Sequence, residues 1–233
     1  MKSEKLKIKN IKVKDRAVLI ADVHYKKGDK DFLDLLQNWI DNPPPQVFFL
    51  GDIFHLLLPF EFLIEYNKEA IELINNLSLK TEIFYTPGNH DFLIDNLFKN
   101  VVFADIFVDL SKKIFLSHGD IMDNSLSYKI YRGVIRNHII LNFLHFLSFN
   151  CLNNWLFKKL LKKSISCKKI EKFTELIENR LKLDYNLIIE GHYHQGVKIK
   201  NYYNMPAFVC NKKYILLKFD NNDFIIKEFE YDR

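Results

Sequence analysis

The sequence predicts an α/β fold, with one domain over residues 1–233 and a helical insertion at residues 124–182. Three observations support this prediction. Short apolar runs alternate with amphipathic stretches before residue 120, as in folds that alternate strands and helices. The length suits one domain with a well-buried core better than two domains. Helical character then replaces the alternation for roughly 60 residues, until an apolar run resumes at Leu187.

The first half of the chain supplies the strands and helices of a main sheet. Apolar runs predict four buried strands, at Ala17–Ala21, Val47–Leu50, Ile83–Tyr85 and Ile114–Leu116. Amphipathic stretches predict helices at Asp31–Ile40 and Glu61–Leu77. Met1–Lys14 alternates lysines with apolar residues and predicts an edge strand or an arm. The run Pro43–Pro45 ends the first helix, because proline lacks the amide proton that a helix interior needs.

The second half predicts further strands beyond the insertion. The apolar run Leu187–Glu190 has the composition of another buried strand. Three stretches alternate apolar and polar residues, namely Val197–Tyr203, Tyr214–Phe219 and Phe224–Phe229. Such alternation is typical of half-buried strands, and Asp220–Asp223 has the composition of a hairpin turn. We expect these strands to complete a second sheet that is largely antiparallel.

Composition narrows the class of protein. Hydrophobic residues make up 48% of the chain and charged residues 27%, which excludes a disordered or fibrous chain. The three cysteines, Cys151, Cys167 and Cys210, show no Cys-x-x-Cys spacing. We therefore expect neither a disulfide framework nor a zinc ribbon, and a cytoplasmic location. The most apolar stretch, Ile139–Phe157, is interrupted by Asn and His residues and is too polar for a membrane-spanning helix.

Positive charge is concentrated in the predicted insertion. The net charge of the chain is +5, but residues 124–170 contain nine Lys or Arg and no Asp or Glu. We therefore expect this segment to be attracted to an anionic partner.

Polar motifs follow the predicted strands at the points where the strands end. They are Asp22-Val-His24, Gly51-Asp52, Gly88-Asn89-His90-Asp91, His118-Gly119-Asp120 and Gly191-His192-Tyr-His194. In alternating β/α folds the loops after the strands meet at one rim, so these motifs can meet although they are far apart in sequence. A lone Asp-x-His is common, but buried histidines in pairs are seldom ordinary core residues. The complete set predicts a metal site.

The motifs supply ligands for two divalent cations, which need a shared carboxylate and further nitrogen and oxygen donors. Asp22 and His24, two residues apart at a strand end, can chelate one ion, and His194 returns to it. Asp52 is placed to bridge the two ions. The second ion is offered one amide oxygen and two imidazoles, by Asn89, His118 and His192.

The order of these motifs, from Asp22 to His194, resembles the calcineurin-like metallophosphoesterase superfamily. The resemblance implies a four-layer α/β/β/α sandwich with two divalent ions, with Mn²⁺ the first expectation and iron or zinc the alternatives. It implies the same ligand sets, with Asp52 shared. The reaction would be attack on phosphorus by a water of lowered pKa. Mixed nitrogen and oxygen ligands fit such metals better than calcium.

The resemblance also assigns roles to residues beside the ligands. His90 corresponds to the catalytic histidine of the superfamily, which protonates the leaving group or stabilises charge in the transition state. We expect Asp91 to orient this loop, acting through His90. His55, His138 and His145 match no motif position and are assigned to structure, with His138 the first exception because it lies in the basic insertion.

The insertion carries the information about substrate. Aromatic and aliphatic residues, including Phe146 and Phe149, adjoin a lysine-rich flank at residues 158–163. This combination suits an acylated, phosphate-bearing molecule and an anionic membrane surface.

With Tyr128 and Arg132 following the His-Gly-Asp motif, the insertion resembles that of the UDP-2,3-diacylglucosamine diphosphatases of lipid A biosynthesis. This resemblance implies an acylated nucleotide-sugar substrate, cleaved to UMP and lipid X, with Tyr128 and Arg132 contacting it. It also implies a peripheral position on the inner membrane. That group usually carries Arg where this chain has His90.

Three alternatives remain open from the sequence. The insertion can be a packed helical pair or a partner-binding element, because aromatic stripes at helical spacing usually form core. A nuclease would use the basic surface to follow a phosphate backbone, although the many aliphatic residues favour an apolar pocket over a base-stacking track. A scaffold without metals would keep the fold alone, against which the complete ligand set argues.

Overall fold

The computed structural model describes residues 6–122, 158–220 and 223–231, which form two six-stranded sheets with helices on both outer faces. The strands are β1 (Ile8–Asn10), β2 (Ala17–Ile20), β3 (Gln46–Leu50), β4 (Glu82–Thr86), β5 (Val101–Phe103), β6 (Ile106–Asp109), β7 (Ile114–Ser117), β8 (Leu187–Glu190), β9 (Val197–Ile199), β10 (Tyr202–Asn204), β11 (Lys213–Asp220) and β12 (Asp223–Glu230). The α-helices are α1 (Lys30–Asp41), α2 (Glu61–Tyr66), α3 (Lys68–Leu77), α4 (Phe173–Leu176), α5 (Glu178–Leu181) and α6 (Phe208–Asn211), and residues 158–161 are also helical.

The first sheet has the strand order β12-β11-β2-β3-β4-β5. Strands β2 to β5 run parallel, with Leu19 beside Phe48 and Phe48 beside Phe84. The hairpin of β11 and β12 adds antiparallel strands at one edge. The predicted strands at Ala17–Ala21, Val47–Leu50 and Ile83–Tyr85 are therefore confirmed.

The second sheet has the order β1-β6-β7-β8-β10-β9 and mixes parallel with antiparallel pairs. The N-terminal segment contributes the edge strand β1, as expected. The C-terminal strands are divided between the sheets, so the prediction that they complete one antiparallel sheet is wrong. The stretch Val197–Tyr203 is a hairpin whose turn contains Lys200 at a left-handed φ of 55°. Alternation alone does not show such a reversal.

Three apolar layers hold the sandwich together and confirm the four-layer α/β/β/α architecture. Leu19 and Phe48 of the first sheet meet Leu116 and Ile189 of the second between the sheets. Helices α1 and α3 cover the outer face of the first sheet, and Phe173 and the adjoining Ile177 cover the second. Burying the apolar faces of both sheets in this way is the main source of stability in such layers.

Some predicted elements differ in detail. The helix expected at Glu61–Leu77 is divided at Asn67, whose buried side-chain amide donates to the carbonyls of Leu56 and Leu63. Strands β5 and β6 were not expected, because runs of three and four residues give too short a pattern. In the part of the chain that the structure describes, no helix is long and apolar enough to cross a membrane.

The cysteine prediction is wrong. Cys167, in the segment before α4, and Cys210, in α6, form a disulfide across 43 positions of sequence. Cysteines so far apart leave no recognisable spacing, so the pair is set by the fold alone.

The predicted insertion is described from residue 158 onwards. There, residues 158–161, α4 and α5 are helical, and an irregular segment runs between residues 162 and 172. Tyr128, Arg132, His138, His145, Phe146 and Phe149 lie outside the described residues.

Candidate metal centre

The loops after β2, β3 and β4 of the first sheet meet those after β7 and β8 of the second at one rim. The loops are joined by hydrogen bonds between their backbones and side chains. The amide of His24 donates to the carbonyl of Asp52 at 2.9 Å, and the amide of His192 donates to Asp22 Oδ2 at 2.9 Å. The amide of His90 also donates to Asp52 Oδ1, and His118 Nδ1 donates to the carbonyl of Leu50, so the five motifs meet as expected, across as many as 170 positions of sequence.

The side chains form groups with the geometry of metal sites. Asp22, His24 and His194 offer one ligand atom each, and these atoms lie within 4.8 Å of one another. The same holds for Asp52, His118 and His192, and for His24, Asp52 and His90. Asn89 lines the same pocket. The first two groups match the two ligand sets proposed from sequence, and Asp52 adjoins both.

The donor atoms fit divalent metal ions. Neither ring nitrogen of His24 has a hydrogen-bond partner among the described residues, although the side chain is buried. Burial lowers the pKa of His24 to about 3, so its imidazole is neutral, the form that binds metals. Buried polar atoms are usually satisfied, and a metal ion would satisfy these.

Asp52 and His118 form a buried ion pair at the rim. His118 Nε2 lies 3.5 Å from Asp52 Oδ2, and both side chains are buried. Burial alone would lower the pKa of His118, but the Asp52 carboxylate outweighs it and raises that pKa well above its ordinary value. The ionised carboxylate therefore favours the protonated form of the His118 ring when no metal is bound. A divalent ion between the two groups would take the place of that proton.

Two glycines allow the loops to approach so closely. A Cβ atom on Gly51 would lie 2.4 Å from the His118 ring, and one on Gly88 would lie 2.0 Å from Asp52 Oδ1. Any larger residue at Gly51 or Gly88 would therefore clash with a proposed metal ligand.

Several ligands have an unusual backbone conformation. Asp22, His24, Asp52, His192 and His194 have left-handed φ values between 48° and 67°. Asp and His tolerate this region better than most residues, and such conformations concentrate at functional sites.

Asp91 organises the loops of the first sheet from below. Its buried carboxylate accepts the amides of Asp52, Ile53, Phe54 and Gly88 and the hydroxyl of Tyr85, at 2.5 to 3.2 Å. Burial, together with the nearby charge of Asp52, raises the pKa of Asp91 to about 6. Asp91 thus orients the Asp52 and Gly88 loops, as expected in part, but these bonds do not pass through the ring of His90.

The ring of His90 is oriented by His55. Its Nδ1 donates to the backbone carbonyl of His55 at 2.7 Å, and its own amide donates to Asp52 Oδ1 at 2.8 Å. The ring of His55 is buried beside it, and its Nε2 lies 3.3 Å from the carbonyl of Leu160. His55 was assigned to structure from the sequence, and its contact with the His90 ring was not predicted. Because a backbone carbonyl makes it, no residue type signals it.

A cavity of about 350 Å³ opens over the cluster. Its floor contains His24, Asp52, Asn89, His90, His192 and His194. Its wall is the segment at residues 163–170, which contributes Lys163, Ile165, Ser166, Lys168 and Ile170. The carbonyl of Ser166 accepts a hydrogen bond from His194 Nδ1 at 2.8 Å, so the wall also orients a ligand.

Comparison with known proteins gives a match to one family model and two curated relatives. The family model described as calcineurin-like phosphoesterase matches residues 16–196. UDP-2,3-diacylglucosamine hydrolases of Chromohalobacter salexigens and Pseudomonas fluorescens are 28% and 29% identical to this chain, over 132 and 136 residues. These alignments cover 52% and 53% of this chain and 53% and 54% of those proteins, so the chain spans about half the length of the curated relatives it matches.

Solved structures with a related chain path include a phosphoesterase from E. coli, 14% identical with a TM-score of 0.43, covering 93% of this chain and 100% of that one. A cold-active protein-tyrosine phosphatase of a Shewanella species is 14% identical with a TM-score of 0.45, covering 97% and 82%. The family match includes every proposed metal ligand from Asp22 to His194. The chain therefore belongs to the calcineurin-like phosphoesterase family.

Proposed function

We propose that this phosphoesterase hydrolyses the pyrophosphate of UDP-2,3-diacylglucosamine and releases UMP and the acylated sugar 1-phosphate, lipid X. One observation carries the proposal. A single cavity joins the metal-ligand cluster to a wall that carries two lysines, Lys163 and Lys168, and two apolar side chains, the half-buried Ile165 and the exposed Ile170. The names of the two curated relatives support the same substrate class.

Asp22, His24, Asp52 and His194 would hold one divalent ion, and Asp52, Asn89, His118 and His192 the other. Two such ions supply electrophilic activation of a phosphate ester and a water of lowered pKa. The buried carboxylates fix the separation of the ligand sets, because Asp22 accepts the amide of His192 and Asp52 accepts that of His90. Mn²⁺ is the proposed metal, with iron or zinc as alternatives.

His90 would give a proton to the leaving group. The proton on its Nδ1 is held by the hydrogen bond to the His55 carbonyl, so Nε2 would be the nitrogen that gives up a proton. The neutral ring that remains keeps its proton on Nδ1, which is the tautomer that this hydrogen bond stabilises. For a pyrophosphate substrate the leaving group is a phosphate oxygen of the sugar phosphate or of UMP. A fixed donor beside the reacting bond lowers the cost of expelling it.

The wall of the cavity would bind the rest of the substrate. Lys163 and Lys168 can hold phosphate groups, and Ile165 and Ile170 offer apolar surface to acyl chains. Tyr128 and Arg132 remain proposed substrate contacts. Leu160 and Ile170 are about 40% exposed, Leu160 among the lysines of residues 158–163 and Ile170 in the cavity that Lys163 lines, and such a surface would suit an anionic membrane.

The direct test compares substrates. We expect UMP release from UDP-2,3-diacylglucosamine to exceed cleavage of a chromogenic phosphodiester and of single-stranded DNA by at least 10²-fold in kcat/KM. The Asp52→Ala variant, prepared in parallel, measures contaminating activity. Faster cleavage of DNA, with a steep loss of binding as salt rises, would replace the proposal by a nuclease.

A second measurement tests the wall. Lys168→Ala should raise KM for the nucleotide-sugar about 10-fold and leave the chromogenic diester unaffected, since only the larger substrate reaches the wall. Lys172→Ala is the matched control, because Lys172 lies four residues away in an exposed pair with Glu175. Equal loss on both substrates would make Lys168 part of the general phosphate site.

Membrane attachment is tested separately. Binding to phosphatidylglycerol vesicles and not to phosphatidylcholine vesicles, reversed by salt, is the expected result. Equal recovery with both lipids would remove the membrane from the proposal and leave the substrate unchanged.

A further inference from the structure

An ion pair lies buried behind the loops of the second sheet. Arg180, in α5, is 3% exposed and Glu190, at the end of β8, is fully buried. Arg180 Nε lies 3.5 Å from Glu190 Oε2. A buried ion pair is costly to desolvate and often adds no stability over apolar residues of the same size. Its presence behind a functional site therefore calls for another explanation.

The Arg180–Glu190 pair contacts the residues on either side of two proposed metal ligands, His118 and His192. Glu190 accepts the hydroxyl of Ser117 at 3.0 Å, and Arg180 Nη2 donates to the carbonyl of Gly119 at 3.1 Å. These two partners are the residues on either side of His118. Arg180 Nη2 also donates to the hydroxyl of Tyr193 at 3.0 Å. Glu190 and Tyr193 in turn stand on either side of the Gly191-His192 turn.

The loops pack tightly against the carboxylate. A Cβ atom on Gly119 would lie 3.2 Å from Glu190 Oε2, and Gly119 has a left-handed φ of 106°. The hydroxyl of Tyr202, from the neighbouring strand, donates to the same oxygen at 3.0 Å. Little room remains for either loop to shift while the pair is intact.

We propose that Arg180 and Glu190 are positioning residues that set the distance between His118 and His192, and thereby the affinity of the ion at the group of Asp52, His118 and His192. The two rings are 5.0 Å apart between centroids. In the other group, His194 is held outside this network, because Ser166 and Asp22 orient its ring. The inference rests on the metal site in the proposed function and not on its substrate.

The experiment is a titration of the metal-free protein with Mn²⁺, followed by calorimetry and by electron paramagnetic resonance. The wild type should bind two ions per chain and give the signal of a coupled pair. The Arg180→Met/Glu190→Gln variant should bind one ion with unchanged affinity and the second about 10- to 100-fold more weakly, giving a mononuclear signal. Arg180→Lys keeps the charge but loses the forked contacts, and should show a smaller shift of the same kind.

The control is Asp184→Asn. This variant breaks a different ion pair, which joins the residue before β7 to the segment before β8. Lys113 and Asp184 lie 2.9 Å apart, at the opposite ends of the two strands and in solvent. This variant should bind both ions as the wild type does. Thermal melting checks that each variant is folded, and Arg180→Lys replaces the double variant if that one is not.

Two results would overturn the inference. Wild-type affinity for both ions in a folded variant would show that the pair does not position the ligands. Equal weakening of both sites would show that it acts through general packing. If the wild type binds two ions but does not cleave UDP-2,3-diacylglucosamine, the proposed substrate fails and the positioning role stands.

Discussion

Asp91 and Glu190 are two buried carboxylates behind the same metal centre, and they support its two halves in different ways. Asp91 accepts four backbone amides and one hydroxyl beneath the loops of the first sheet. Glu190 accepts the hydroxyls of Ser117 and Tyr202 and faces Arg180 beneath the loops of the second. Burial raises the pKa of both carboxyl groups.

The difference lies in what each carboxylate needs from the rest of the chain. Backbone amides are present whatever the sequence, so Asp91 organises its loops almost alone. Glu190 depends on three further side chains, Ser117, Arg180 and Tyr202. In the loops of the first sheet, sensitivity to mutation is therefore concentrated in one residue. In the loops of the second sheet it is distributed over several residues. Four predictions test this comparison.

Asp52→Ala should have the largest effect, because Asp52 adjoins the ligand groups of both halves. We expect loss of measurable hydrolysis and loss of most bound metal at both sites, since the shared carboxylate neutralises both ions. Metal content by mass spectrometry and turnover measure the two effects. A variant that kept one tightly bound ion would show that the halves bind independently.

His90→Ala should lower kcat by about 10²- to 10⁴-fold and leave two ions bound, as expected for loss of a proton donor that is not a ligand. His55→Ala is the matched control, because the carbonyl that orients His90 remains when the side chain is removed. It should change kcat much less. Loss of metal in His90→Ala would assign that residue to the ligand set.

Asp91→Asn should cost about 3 kcal/mol or more of unfolding free energy, because an amide cannot accept all the donors that face the carboxylate. Glu190→Gln should cost less, since its carbonyl still accepts hydroxyls that can rotate. Urea denaturation of both variants measures the contrast, with the exposed Asp95→Asn as control. Equal costs would break the comparison between the two carboxylates.

Asp109→Asn should have the smallest effect and leave metal binding and activity unchanged. Asp109 is a buried carboxylate in the same sheet as Glu190, but it binds the turn at Ser111 and Lys112. Burial alone would raise its pKa, and the hydroxyl and amide donors outweigh burial and lower it.

A lowered folded pKa means that the stabilisation by Asp109 is present above the unfolded pKa of about 3.9 and is lost as pH falls through the folded value. The difference in unfolding free energy between wild type and Asp109→Asn should be about 1 to 2 kcal/mol at pH 7 and should narrow below about pH 4. A constant difference from pH 7 to pH 3 would contradict the assigned charge.

The supports of the two groups of loops also differ in how much of each could be predicted from the sequence. The ligands are short motifs at strand ends, and the structure brings all of them to one rim as expected. Asp91 belongs to such a motif and was expected to orient the loop through His90, whereas its hydrogen bonds run to backbone amides and to Tyr85. Arg180 lies outside every motif, and its partners depend on how α5 packs. The division of the C-terminal strands, the His55 carbonyl contact and the disulfide arise likewise from contacts between distant segments, which periodicity does not encode.

The left-handed backbone of the ligands has a consequence for how this protein would change under selection. His24 and His194 hold conformations with φ of 48° and 60° that glycine adopts without steric cost. Glycine at these positions would relieve backbone strain and remove the ligand at the same time. Stability and catalysis thus make opposite demands on the same residues. Selection for metal binding therefore keeps histidine at two positions whose backbone conformation glycine adopts more readily.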